Sequence, residues 1–150
     1  MESTTSVESE ELDPPEALTA RIGYRLKHVQ ARFQSIQRDA LAPLGLNGRL
    51  LAVLLVADAH GPELQQRIGD RLDVDRTTMV ALIDSLEAAG FVERRSDPSD
   101  RRGRLVHVTP RGKRASSEGL KASAHAESSF LAPLSPTERE AFREMLAKLI

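Results

Sequence analysis

A chain of 150 residues with no cysteine, no tryptophan, one tyrosine and four phenylalanines must fill its core with leucine, valine, isoleucine and alanine, which suits helices. Without cysteine there is neither a disulfide framework nor a thiol sensor, and with no signal peptide or membrane-length apolar run a cytoplasmic protein is expected. The net charge of -1 hides a segregation: residues 1–16 hold six acids and no base, whereas residues 94–114 hold eight bases and two acids. Exposed charges more than roughly 8–10 Å apart are largely screened at cellular salt, so the local patch decides what binds.

Residues 1–15 are polar and acidic, end in Pro14-Pro15, and read as a disordered tail. A first helix is predicted over residues 16–41. Leu18, Ile22, Leu26, Val29, Phe33, Ile36 and Ala40 give it one apolar stripe, and Pro43 with Gly45 stops it. A helix of about 25 residues is longer than a small core needs, so part of its stripe is expected to meet a partner. Asn47 is placed to cap a second helix, whose run from Leu50 to Ala57 is apolar nearly all round and belongs at the centre; Gly61-Pro62 closes it. Residues 64–72 form a short third helix with Leu64, Ile68 and Leu72 inward. A tight Leu-Asp-Val-Asp turn, with Val74 buried, leads into a fourth.

That fourth helix begins after Asp75, an N-cap suited to the positive end of a helix dipole. Met79, Leu82, Ile83 and Leu86 make its apolar face. Arg76, Thr77, Thr78, Ala81 and Asp84 lie opposite, short or hydrogen-bonding side chains that permit close approach. Gly90 is the expected left-handed stop, with Phe91 folding back onto the last turn. Residues 92–96 and 104–109 are strand-like and are joined by Asp-Pro-Ser-Asp-Arg-Arg-Gly, a turn loaded with cations. A helix with an open polar face beside an arginine-tipped hairpin is a winged helix-turn-helix in outline, its helix suited to the major groove and its wing to the flanking minor groove. Thr109-Pro110 then starts a helix over residues 110–131 with Ala115, Ala122, Ala126 and Phe130 on one side. Ser135-Pro-Thr-Glu138 is a capping box for a last helix bearing Phe142, Met145, Leu146 and Leu149.

Within the winged helix, Arg76 is the candidate for a guanine edge or a phosphate. Thr77 and Thr78 are candidates for thymine methyls or phosphates, Ala81 shares their open face, and Arg101 and Arg104 are candidate phosphate contacts. The chain has no Gly-x-Ser-x-Gly elbow, no phosphate loop ahead of Lys113 and no credible buried carboxylate pair, so no catalysis is expected. His28, His60, His107 and His125 offer no i, i+4 pair, His60 with Glu63 being the only close combination, and neither a metal nor a cofactor is expected. The alternative is a winged helix that binds protein and not DNA. Such a module has no use for Arg101, Arg102 and Arg104 beside an open Arg76-Thr77-Thr78 edge.

Three stretches resemble the MarR (multiple antibiotic resistance regulator) family of bacterial transcription factors: Leu72-Asp-Val-Asp-Arg-Thr-Thr-Met79, Leu86-Glu-Ala-Ala-Gly-Phe-Val-Glu-Arg94, and the wing signature Asp100-Arg-Arg102 followed by Val108-Thr109. Val80 and Ala81 stand where many relatives carry polar or basic groups. The resemblance implies a mostly α fold with a small β-hairpin: an N-terminal dimerisation helix over residues 16–46, a winged helix-turn-helix over 47–109, and C-terminal helices over 110–150 completing the dimerisation region. It implies a homodimer on a palindromic double-stranded operator, regulating transcription as a repressor and released by a small aromatic or lipophilic effector, with no membrane partner. Arg102 resembles the family arginine that enters the minor groove, and Asp100 is then a wing-orienting partner, paired with Arg94. Tyr24, Arg25 and His28 are the polar groups expected near an effector cleft.

Overall fold

The computed structural model describes residues 14–100 and 103–150. The predicted acidic tail up to residue 13, together with Arg101 and Arg102, lies outside the described residues. The chain divides into two compact units, with the boundary between Ala31 and Arg32.

In the first unit, the single helix predicted over residues 16–41 is broken. Helix α1 (Glu16–Thr19) is one turn long, and α2 (Ile22–Leu41) starts afresh after Ala20 and Arg21. Local bonds replace the regular ladder at the break. The Thr19 hydroxyl donates to the Glu16 carbonyl at 3.3 Å, the Arg21 N–H reaches back only three residues to Leu18, and Arg25 Nε donates to the Thr19 carbonyl at 3.1 Å. A threonine that bonds its own helical turn loosens that turn, and the arginine side chain satisfies the carbonyl the ladder leaves behind. Leu18, Ile22, Leu26 and Val29 are exposed.

In the second unit, α2 ends at the buried Leu41, and a 3-10 turn (Ala42–Leu44) closes on Gly45 in the left-handed region at φ 70°. Asn47 caps α3 (Gly48–His60) as expected, accepting from the Leu50 N–H at 2.9 Å. Leu51, Val53, Leu54 and Ala57 make α3 the centre of the core, against Ile68, Met79, Ile83, Leu86, Phe91, Val92, Val106 and Ala115. The core is aliphatic apart from Phe91, as the composition requires.

Helices α4 (Gln65–Leu72) and α5 (Arg76–Ala88) form the helix-turn-helix. The wing strands are β2 (Val92–Ser96) and β3 (Arg104–Val108), antiparallel with Arg94 opposite Val106. A two-residue strand, β1 (Glu63–Leu64), pairs with the other edge of β3 and makes a three-stranded sheet of order β1-β3-β2. The sequence reading placed Leu64 at a helix start, because so short a strand is defined by its partner and not by its own residues. Helix α6 (Pro110–Phe130) begins on Thr109, whose hydroxyl accepts from the Gly112 N–H, and Phe130 packs edge-to-face on Phe33 with ring centroids 5.3 Å apart. The capping box at Ser135 and Glu138 opens α7 (Pro136–Ala147), which buries no residue fully and leaves Met145 and Leu146 exposed.

Candidate nucleic-acid interface

The turn between α4 and α5 reverses on Asp73, in the left-handed region at φ 51°, a conformation that aspartate tolerates better than most residues. The glycine that matters lies earlier. Gly69 is buried inside α4, where an added Cβ would stand 3.0 Å from the Val74 carbonyl oxygen, and the Val74 N–H returns to the Gly69 carbonyl at 3.0 Å. The turn sits directly on the preceding helix, which sets where α5 begins.

Asp75 caps that start. One carboxylate oxygen accepts from the Thr78 N–H at 2.9 Å and the other from the Thr78 hydroxyl at 2.6 Å. The hydroxyl bond and then the N–H bond hold the carboxyl below the usual aspartate range, so the cap is ionised at neutral pH. Thr78 is therefore set apart from its neighbours: half-buried, with its hydroxyl proton committed to the cap, it retains a methyl and lone pairs for a ligand. Arg76, Thr77 and Ala81 are exposed on the open face as expected. Met79, Ile83 and Leu86 are buried behind them. Gly90 ends the helix at φ 74°, and the Phe91 N–H bonds the Leu86 carbonyl at 2.9 Å, the predicted stop.

Arg94 fastens the wing to this helix. Arg94, on β2, is 14% exposed and directs Nη2 to Asp84 and Nη1 to Glu87, both at 2.6 Å, and Nε to Gln65 at 3.4 Å. Glu87 also accepts from the Arg94 backbone N–H at 2.9 Å. That N–H first, and the guanidinium after it, hold the Glu87 carboxyl below its ordinary value. The expected pairing of Arg94 with Asp100 is thus corrected: the guanidinium is occupied by two carboxylates of α5 and an amide of α4. Asp84, read from helical spacing as part of the open face, is one of those partners. Spacing alone gave no sign of this node, since Glu87, Asp84 and Gln65 lie 7, 10 and 29 residues from Arg94 and on other elements. An arginine in the middle of the first wing strand, after a helix whose last turns carry Asp84 and Glu87, was the available signal.

At the wing tip, the Asp97 carboxylate accepts from the Ser99 hydroxyl at 2.7 Å and from its N–H at 2.8 Å. The Gly103 N–H donates to the Asp100 carbonyl at 2.9 Å, and its carbonyl accepts from Asp97. Arg104 is exposed at the start of β3. Between wing and helix-turn-helix runs an open cleft of about 490 Å³, lined on its polar side by Gln65, Gln66, Asp70, Arg76, Asp100 and Arg104. Arg76 and Arg104, both predicted as contacts, are brought to one opening.

The three residues expected near an effector lie in the first unit. The Tyr24 ring packs on the His28 ring with centroids 4.2 Å apart, and Arg25 holds the Thr19 carbonyl. Of the one histidine–carboxylate combination noted in the sequence, Glu63 is nearly buried and bound by Arg71 at 3.1 Å, while His60 Nδ1 sits 3.1 Å from the Val56 carbonyl. Among the described residues no group of three or more metal-ligating side chains is assembled. No single described helix is long and apolar enough to cross a membrane.

Comparison with known proteins agrees with this geometry. A family model described as MarR family matches residues 46–103, the span from the start of α3 to the wing turn. The putative transcriptional regulatory protein for the hcr operon of Thauera aromatica is 30% identical over 135 residues, covering 89% of this chain and 81% of that protein. Among solved structures, the transcriptional repressor CouR bound to a 23-mer DNA duplex is 31% identical with a TM-score of 0.81, over 89% of this chain and 95% of that one. CouR from Rhodococcus jostii RHA1 bound to p-coumaroyl-CoA is 29% identical with a TM-score of 0.72, over 90% and 95% of the two chains. With the helix-turn-helix, the wing and the flanking helices matched together over most of its length, the chain belongs to the MarR family of transcriptional regulators, which are DNA-binding proteins and not enzymes.

Proposed function

We propose that this regulator is a ligand-responsive repressor that binds a palindromic operator as a homodimer and leaves it when a small aromatic or lipophilic effector binds. The observation that carries the DNA reading is the Arg94 node, which ties the wing to the same helix that exposes Arg76 and Thr77. Helix and wing then move as one reading head, α5 in the major groove and the wing in the adjacent minor groove. Arg76 takes a guanine edge or a phosphate, Thr77 and the Thr78 methyl face thymine methyls, and Ala81 permits close approach. Arg102 enters the minor groove, Arg101 and Arg104 neutralise phosphates, and Asp100 orients the tip. A relative named as a repressor and bound to a DNA duplex supports this reading.

Two copies joined through the helices of residues 16–46 and 110–150 carry two reading heads about 34–36 Å apart, one turn of the duplex, which suits a palindrome. The exposed Leu18, Ile22, Leu26 and Val29, with Met145, Leu146 and Leu149, support such a partner. The bound p-coumaroyl-CoA of a 29% identical relative supports an effector with an aromatic or acyl body, and Tyr24, Arg25 and His28 are the polar groups assigned to it here. The protein acts in the cytoplasm, where operator DNA is.

The test is fluorescence anisotropy on the intergenic DNA upstream of the protein's own gene, at about 50 and 200 mM salt, for wild type, Arg102→Ala and Arg76→Ala. Tight, salt-sensitive binding that either substitution weakens, with the fold intact by circular dichroism, is expected. Binding no tighter than to random DNA and indifferent to both substitutions would refute it and favour a protein-interaction module.

A further inference from the structure

The sheet has two outer edges, and Arg94 accounts for one of them. In the order β1-β3-β2, strand β2 is tied to α5 by Arg94, whereas β3, which starts at Arg104, lies in the middle with β1 on its far side. Strand β1 is two residues long, with Glu63 opposite Val106 and Leu64 opposite Leu105. So short a ladder holds little by itself. Its side chains, which alternate in direction along a strand, supply the support. Glu63 is 8% exposed, and its carboxylate receives a fork from Arg71 on α4: Nη2 donates to Oε1 at 3.1 Å and Nε to Oε2 at 3.4 Å. The Arg71 hydrogen bond outweighs the opposing effect of burial and nearby cations add to it, so the carboxyl sits below its ordinary value and is ionised at neutral pH. Leu64 supports the wing turn. A Cβ on Gly103 would stand 3.2 Å from Leu64 Cδ2, so the leucine packs on the residue whose N–H closes that turn on the Asp100 carbonyl. Leu64 also lines the cleft that Arg76 and Arg104 share.

We propose that Glu63 and Arg71 are positioning residues for the DNA contact of Arg104: they pin β1 to α4, and β1 in turn holds β3 and the wing turn at a fixed angle to the helix-turn-helix. A sheet fastened at one edge can swing about that edge, and one fastened at both cannot. Arg94 supplies the first fastening, mainly to α5, and the pair of Glu63 and Arg71 supplies the second, to α4. An ion pair drawn out of water adds little to stability over an apolar pair of the same volume, but its fork geometry fixes a direction. Without it, the end of β3 that carries Arg104 is able to turn away from the phosphate it neutralises. The inference rests on the DNA reading above and adds to it two residues that act through Arg104.

The test is a double-mutant cycle on operator affinity in the full chain, with Glu63→Gln and Arg104→Ala alone and together, and with the salt slope as a second readout. Glutamine keeps the shape of Glu63, and the Arg71 side chain is 46% exposed, so no buried charge is stranded and the fold is retained. Glu63→Gln should weaken operator binding about five-fold. It should also shrink the salt slope by part of the roughly 0.9 that one phosphate contact contributes. Added to Arg104→Ala, it should cost less than about two-fold more. Arg71→Lys, which reaches one carboxylate oxygen and not both, runs the same cycle as an independent variant and should fall between wild type and Glu63→Gln. A role in packing alone would lower the melting temperature and leave the affinity and slope of the folded protein unchanged. That outcome, or an equal loss with and without Arg104, would overturn the positioning role while wild type still binds its operator. Wild type that binds the operator no better than random DNA would overturn the DNA reading, and the inference with it.

Discussion

Arg94 holds the wing by bonds of unequal exposure. Its own side chain is almost enclosed, whereas its partners Asp84 and Glu87 stay half in water. Truncation to alanine therefore strands no buried charge, and the cost is that of lost charge-assisted bonds to solvated partners, about 1–2 kcal/mol. For a chain of this size that lowers the melting temperature by roughly 2–8 °C. The loss in operator affinity should be larger, about ten-fold or more, because the wing then keeps only the Glu87 bond to its backbone N–H and loses the guanidinium that fixed its direction. Lysine at this position reaches one carboxylate and not both, so Arg94→Lys should recover only part of either loss. Asp84→Asn added to Arg94→Ala should cost nothing further, and a full additive loss in that cycle would mean that the two residues act separately. The same node carries a pH dependence. Glu87 is held below its ordinary value by the Arg94 N–H and guanidinium, so its contribution is complete above the unfolded value of about 4.3 and fades as pH falls through the lower folded value. Melting curves from pH 7 to pH 3 should show Glu87→Gln starting lower than wild type and losing less on acidification. Residues that act on their neighbours in sequence were legible from the start: Asp75 as a cap, Gly90 as a stop, Thr109 as an opener. Arg94 was singled out too, but its partners were not, because they meet it only once α5 and β2 fold back on each other.

Helix α6 passes its neighbours so closely that two glycines inside it have no room for a side chain, and they differ in what stands in the way. A Cβ on Gly112 would lie 1.9 Å from the Phe91 carbonyl oxygen, which is backbone and already accepts from Thr109. On Gly119 it would meet the Leu51 Cδ1 at 2.6 Å and the Leu46 Cδ1 at 3.1 Å, the ends of side chains that can turn. Alanine gains about 0.5–1 kcal/mol of helix preference over glycine, and overpacking a close contact costs about 1–3 kcal/mol. At Gly112 the clash dominates, and Gly112→Ala should lower the melting temperature by several degrees and loosen the start of α6. At Gly119 the two effects come closer to balance, and Gly119→Ala should lose clearly less. A reversed order in thermal melts would contradict the packing described. The elements show the same divide between local and distant causes. Helices α3 to α7 and both wing strands follow from spacing, caps and stops along the chain. Strand β1 exists because Glu63 and Leu64 lie beside Val106 and Leu105, some forty residues on. The break before α2 was missed for a different reason: apolar spacing continues unbroken across Ala20 and Arg21, so periodicity cannot register a turn that side-chain bonds to Thr19 and Glu16 impose.

For the whole molecule, the near-zero net charge matters less than its division, and salt is the variable that reads it. Each phosphate contact contributes about −0.9 to the slope of log affinity against log salt on duplex DNA. Arg104→Ala should therefore shrink that slope by about 1 and weaken operator and random DNA alike, while Arg76→Ala should weaken the operator more than random DNA. Assembly sets the other whole-molecule term. Met145 and Leu149 are 56% and 78% exposed and belong to no part of the buried core among the described residues. Replacing both by glutamate should leave the melting curve of the core nearly intact while placing like charges where a second copy is proposed to pack. Sedimentation should then report a monomer, against the dimer proposed for wild type. Because two linked half-sites bind far more tightly than one, by factors of about 10²–10⁴, operator affinity should fall by at least the lower figure, although no DNA-contacting residue has changed. A double variant that still sediments as a dimer would move the interface away from the end of the chain. One that becomes monomeric yet binds the operator as before would show that a single reading head suffices and that the palindrome is not what the protein reads.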